Sequence, residues 1–132
     1  QAYDIVSEDY QINALWPLAV KQGKIAGYNM AGDDSEYDGG LPMNSIDFFG
    51  FPVISMGVTT PEDGRYEILA KQESNDWYRK FILKDNVLKG AIFVGEVEKA
   101  GVARSLIEEK VDLTDCKQDL LNIDFSLDTD VS

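Results

Sequence analysis

The stretch LWPLAVKQGKIAGYNMAG, from Leu15 to Gly32, constrains this chain more than any other part of it. Pro17 has no N–H to lose and a φ preset for the first helical position, so a helix is expected to start there with Trp16 flanking it. Gly32 is its stop signal. Ala19, Gly23, Ala26, Gly27 and Ala31 are spaced mostly by three or four residues, which leaves one strip of the helix with almost no side-chain volume. Each interior glycine costs about 1 kcal/mol relative to alanine, so two in one helix imply that another backbone approaches closely. This is a helix built to present a site and to lie against a neighbour, and it carries no residue suited to catalysis.

Around it the chain reads as an α+β domain: a small antiparallel sheet with helices on one side. Residues 1–13 are polar and without a period. Residues 31–44 are rich in Gly, Asp, Asn and Pro and form a loop. Ser45 to Val58 is a strand region interrupted by Gly50 and Pro52, which suggests an edge or a bulge. Arg65 to Gln72 alternates Tyr66, Ile68 and Ala70 against Arg65, Glu67 and Lys71, a half-buried strand. Tyr78–Lys84 and Val87–Gly95 flank Asp85-Asn86 and make the clearest hairpin, with Leu88, Gly90, Ile92 and Val94 on one face of its second strand. Val97 to Lys110 is a helix with Val102, Leu106 and Ile107 at helical spacing. Thr114 starts another, with Asp115 in its first turn and Leu120 and Leu121 packed inward. Residues 122–132 are an acidic tail.

Composition removes whole classes of chemistry. There is no histidine, hence no Ser-His-Asp or Cys-His nucleophile and few ways to build a zinc site. Twelve basic against twenty-four acidic side chains, a net charge of −12, oppose binding to nucleic acid or to anionic lipid. No run approaches the ~18 apolar residues of a membrane span. The lone Cys116 cannot form an intrachain disulfide, which fits a reducing, cytoplasmic setting; its neighbours Asp112, Asp115 and Asp119 disfavour a thiolate. Asp34, Glu36, Asp38 and Gly39 partly match a calcium loop, but the position of its bidentate glutamate is taken by Ser45. No catalytic or metal-ligating residue is therefore assigned. Phe48, Phe49 and Phe51 cannot all enter one core from a strand whose faces alternate, and some are expected to meet a second surface.

Leu15, Pro17, Ala19 and Gly23 stand as an L-x-P-x-A-x-x-x-G pattern that resembles the helix opening the carboxy-terminal domain of the FAD-dependent pyridine nucleotide-disulfide oxidoreductases. LPMNSIDFFGFPVISMG (Leu41 to Gly57) and YRKFILKDNVLKGAIFVGEVEKAG (Tyr78 to Gly101) are similar to the rest of that domain, most of all in the branch of NADH oxidases, rubredoxin reductases and the flavoprotein part of nitrite reductases. The resemblance covers about residues 1–121. It implies that residues 1–13 end a connection from an absent FAD-binding domain, that 14–121 form the carboxy-terminal interface domain, and that the chain is an excised part of a larger enzyme. No G-x-G-x-x-G opens a helix here, so both dinucleotide-binding domains of such an enzyme lie elsewhere.

The same resemblance implies FAD as cofactor and NAD(P)H as substrate of the parent, with the amino end of the helix, at Leu15 and Trp16, facing the pyrimidine side of the flavin. Free N–H groups and the positive end of the helix dipole favour the negative charge that develops there on reduction. It further implies a homodimer, and contact with the FAD- and NAD-binding domains of the parent. The His-Glu pair that the glutathione-reductase branch carries in this domain is missing, which argues against classical dithiol-disulfide reduction. The alternative is a stand-alone, non-catalytic association module that binds another protein through Phe48, Phe49, Phe51 and Trp77.

Overall fold

The computed structural model describes residues 1–122. They divide into two compact units, one of residues 1–44 and one that begins at Ser45. The fold is α+β, with two α-helices and antiparallel sheets. The acidic tail expected at 122–132 lies, beyond Asn122, outside the described residues.

In the first unit the apparently irregular amino-terminal segment is a short hairpin, β1 (Ala2–Asp4) and β2 (Asp9–Gln11), with Tyr3 opposite Tyr10. What organises it is polar and so gives no hydrophobic period. The buried Asp4 carboxylate accepts the Val6 N–H at 2.8 Å, the Ser7 N–H at 3.1 Å and the Asn13 side-chain amide at 2.7 Å. Helix α1 runs Trp16–Met30, with Leu15 as the extended residue before it and Pro17 in its first turn, one residue earlier than expected. Its end is a Schellman motif: Gly32 (φ 102°) donates to the Asn29 carbonyl at 3.1 Å and Asp33 to the Tyr28 carbonyl at 3.0 Å. The Gly-rich loop that follows is tied back to α1, because Lys21 pairs with Asp38 and donates to the Gly39 carbonyl at 2.9 Å.

The second unit is a five-stranded sheet in the order β3 (Met43–Phe48), β4 (Phe51–Gly57), β7 (Val87–Val94), β6 (Trp77–Lys84), β5 (Glu67–Ser74). The region expected to be one interrupted strand is two. Phe49 (φ 54°) and Gly50 (φ 85°) form a two-residue turn of the kind in which both residues take positive φ, and Asp47 accepts the Gly50 N–H at 2.7 Å. Pro52 is tolerated although β4 is interior, because the β4–β7 ladder starts at Val53 and the Pro52 carbonyl accepts the Gly95 N–H at 2.9 Å.

The β6–β7 hairpin turns at Asp85 (φ 51°) and Asn86 (φ 60°), as the sequence leads one to expect. Its facing does not follow simple alternation. Leu83 pairs with Leu88 but Ile82 pairs with Gly90, so Lys89 is an extra residue and the buried face passes from Leu88 to Ala91 and Phe93, not to Ile92 and Val94. Gly90 sits where a Cβ would lie 1.7 Å from the Val58 carbonyl oxygen, so only glycine fits. On β5 the inward positions are Leu69 and Lys71, opposite Phe81 and Arg79, while Ile68 is exposed. The strand was expected the other way round. Lys71 can face inward at an edge because its ammonium reaches past the sheet to lie 5.9 Å from the Trp77 ring centre.

Helix α2 (Ala100–Glu108) is shorter than the expected 97–110 and lays Ala103, Leu106 and Ile107 against the sheet, mainly on β7. The core closes around Phe81 and Phe93, edge to face at 5.6 Å, with Met56, Leu88, Leu113 and Leu120 fully buried. The helix expected after Thr114 is a single 3₁₀ turn, Lys117–Leu121, which buries Leu120 and leaves Leu121 half-buried.

Candidate functional site at the amino end of the first helix

Leu15 and Trp16 stand side by side where α1 begins. Leu15 holds extended backbone (φ −118°, ψ 132°) and accepts the first helical bond, from the Ala19 N–H at 3.0 Å. No side chain caps this end and no acidic residue stands in the first turn, so nothing there offsets the positive end of the dipole. Trp16 is 81% exposed, so its ring is not part of the core of the described residues. The first turn thus offers an exposed apolar ring beside backbone N–H groups and carries no carboxylate, while the Leu15 N–H itself donates to the Asn13 carbonyl at 2.8 Å.

The rest of the helix is as open as its start. Only Leu18 is buried among its fifteen residues, whereas Val20, Tyr28 and Met30 are exposed. The strip of small residues is uncovered too, since a Cβ built on Gly23 or Gly27 meets nothing within 4 Å. A helix of this length is marginal in water without tertiary cover.

A second exposed feature is the β3–β4 turn, where Phe48 is 61% and Phe49 91% exposed, with their rings edge to face at 5.1 Å. Phe51, across the turn, is more than a third exposed. Trp77 does not join them. It is buried, the Arg79 guanidinium lying 5.1 Å from its ring centre and its indole N–H donating to Glu96 at 3.3 Å.

Other candidates resolve into structural roles. Burial first, and then the charges of Asp119, Asp115 and Asp112, push the Cys116 thiol up, away from the reactive thiolate. Lys117, the one cation beside it in sequence, bonds Glu67 at 2.7 Å instead. Lys21 holds the Asp38 carboxyl below the ordinary aspartate range, chiefly through their hydrogen bond. Among the described residues no group of three or more His, Cys, Asp or Glu could hold a metal ion, and no helix is long and apolar enough to cross a membrane.

Buried Arg79 was missed in the sequence. Its guanidinium lies between the Trp77 and Phe93 rings, donates to the Asn122 carbonyl at 2.8 Å and comes within 3.9 Å of Glu96. The signal was available: Trp77, Arg79, Phe81 and Leu83 occupy alternate positions of one strand, which puts the arginine on an apolar face.

Residues 42–111 match the rubredoxin NAD+ reductase C-terminal domain, more than half of the chain, and the chain belongs to that family. It is 36% identical over 106 residues to the epsilon subunit of the NADH-dependent phenylglyoxylate dehydrogenase of Aromatoleum evansii, covering 78% of this chain and 25% of that protein. In fold it is similar to a NAD-dependent persulfide reductase from A. fulgidus (TM-score 0.70, 22% identity, 95% of this chain and 26% of the other). A FAD-dependent pyridine nucleotide-disulphide oxidoreductase from Desulfovibrio vulgaris gives a TM-score of 0.68 at 16% identity, over 92% of this chain and 33% of the other. The chain thus spans about a quarter to a third of the proteins it matches.

Proposed function

We propose that this chain is the carboxy-terminal interface domain of an FAD-dependent NAD(P)H oxidoreductase, residues 1–13 ending the connection from the FAD-binding domain and 14–121 forming the interface domain. Its contribution is electrostatic support of the flavin, together with dimerisation. The observation that carries this reading is the uncapped, acid-free amino end of α1 on a helix that buries only Leu18. Such a helix needs a partner surface, and the uncovered strip at Gly23 and Gly27 suits one that approaches backbone to backbone.

When bound, the flavin supplies the acceptance and release of hydride and electrons. This chain's own part is to set N–H groups and the positive dipole end, at Leu15 and Trp16, beside negative charge, and to exclude water with the Trp16 ring. The sequence holds no histidine and no dinucleotide-binding loop, so the pockets for both dinucleotides are assigned to other parts of the parent.

The test is the visible spectrum of the full-length parent, before and after NADH is added without oxygen. A flavin absorption that bleaches supports the reading. A parent with no flavin and no gain on adding FAD overturns it in favour of an association module, which would use Phe48, Phe49 and Phe51 alone, since Trp77 is buried. Within a flavin-containing parent, Gly23→Leu and Gly27→Leu should lower flavin retention; unchanged flavin content would remove the role given to α1.

A further inference from the structure

The five-stranded sheet has two edges, and they differ in kind. Strand β5 is blunted: it carries Glu67, Lys71 and Glu73, engages Lys117 through Glu67, pairs Lys71 with Glu73, and has a register irregularity between Gln72 and Ser74. Those are devices that keep an edge from pairing with another chain. Strand β3 carries a single charged side chain, Asp47, and no lysine or proline. It has no second neighbour among the described residues, its side chains from Asn44 to Phe48 are exposed or nearly so, and Ile46 and Phe48 share one face while 48% and 61% exposed.

Charge singles out the same edge. From Gly39 to Pro61 the sequence holds one ionisable acidic or basic side chain, Asp47, in a chain of net charge −12. Asp47 is already engaged by the Gly50 N–H at the turn. For two copies that repel each other over most of their surfaces, this stretch is where they can meet without opposing like charges.

We propose that β3 is the seam between two copies of this chain: two β3 strands pair antiparallel about a two-fold axis and join the two sheets into one. This rests on the dimerisation reading above and assigns it a surface. A two-fold axis makes the same strand meet itself antiparallel, so each contact occurs twice. A register centred on Ser45 sets Asp47 opposite Met43 rather than opposite its own copy. The exposed Ile46 and Phe48 then pack on the joined face, and Phe49, at the turn beside them, extends it.

Sedimentation velocity of the 132-residue chain over a range of concentrations tests this, with hydrogen exchange read across Met43–Phe48. The wild-type chain should be a dimer whose β3 amides gain protection as concentration rises. The double variant Ile46→Lys, Phe48→Lys should weaken the dimer by about tenfold or more, since like charges then face each other across the axis. Ile68→Lys, on the other edge, should leave it unchanged, and circular dichroism should show all three folded. A dimer untouched by the double variant and without β3 protection overturns the seam while leaving dimerisation standing. A wild-type chain that is monomeric throughout overturns the seam and takes the dimer with it, while the flavin role of α1, read from the parent's spectrum, is unaffected.

Discussion

At the residue scale the most telling position is Phe49, an L-residue in the left-handed region (φ 54°) whose ring is 91% exposed. Non-glycine residues there are strained by about 1–2 kcal/mol. The exposed Phe49 ring meets Phe48 edge to face among the described residues, and no local signal marks such a turn, which is why a sequence reading places none there. Phe49→Gly should therefore raise the stability of the monomer by about 1 kcal/mol in chemical denaturation while weakening the dimer; a variant less stable than wild type would show that the Phe49 ring packs usefully within the monomer. Gly90 makes the opposite case, because there the constraint is space. Gly90→Ala must push a methyl into the Val58 carbonyl and should cost about 3 kcal/mol or more in the same measurement. Cys116 supplies a pH dependence. Its folded pKa is raised, so the folded state holds the thiol proton more tightly than the unfolded chain does. That contribution is fully present below the unfolded thiol pKa and is lost as pH rises through the folded value. Stability should fall on going above about pH 8.5, and Cys116→Ser should flatten that part of the profile.

Among the elements, what was legible follows from whether a local signal and the tertiary structure agree. The α1 boundaries and the Asp85-Asn86 hairpin were readable because Pro17, Gly32 and a two-residue turn act locally. The facing of β7 was not, since one unpaired residue at Lys89 reverses every side chain beyond it. Nor was that of β5, where the apolar alternation of Tyr66, Ile68 and Ala70 lost to the need to cover Trp77 and Phe81 from the edge. The candidate site was legible as a helix start presented to a neighbour, while the degree of its exposure, with Leu18 alone buried in α1, belongs to the fold and not to spacing. α1 then gives a prediction that separates folding from function. Gly23→Ala and Gly27→Ala meet no neighbouring atom among the described residues, so each should stabilise the isolated chain by about 0.5–1 kcal/mol. In the parent the same methyl groups should lower flavin retention. Neutrality in both settings would mean that the strip is not a contact surface.

For the whole molecule the deciding quantity is the net charge of −12, with a sequence pI of about 4.2. Self-repulsion of that size works against any dimer, and it is screened as the Debye length shortens from about 30 Å at 0.01 M salt to about 10 Å at 0.1 M. The β3 seam itself is almost free of charge, so salt takes nothing from its contacts. Dimer affinity should therefore rise with sodium chloride between 0.02 and about 0.3 M, the reverse of a phosphate-binding protein, whose affinity falls as counterions compete. The flat or falling profile that an ion-paired interface produces would place the contact on the charged faces instead, at the β5 edge or the acidic loop. Measured together with the Ile46→Lys, Phe48→Lys variant, the sign of that salt slope tells an uncharged edge from a charged one.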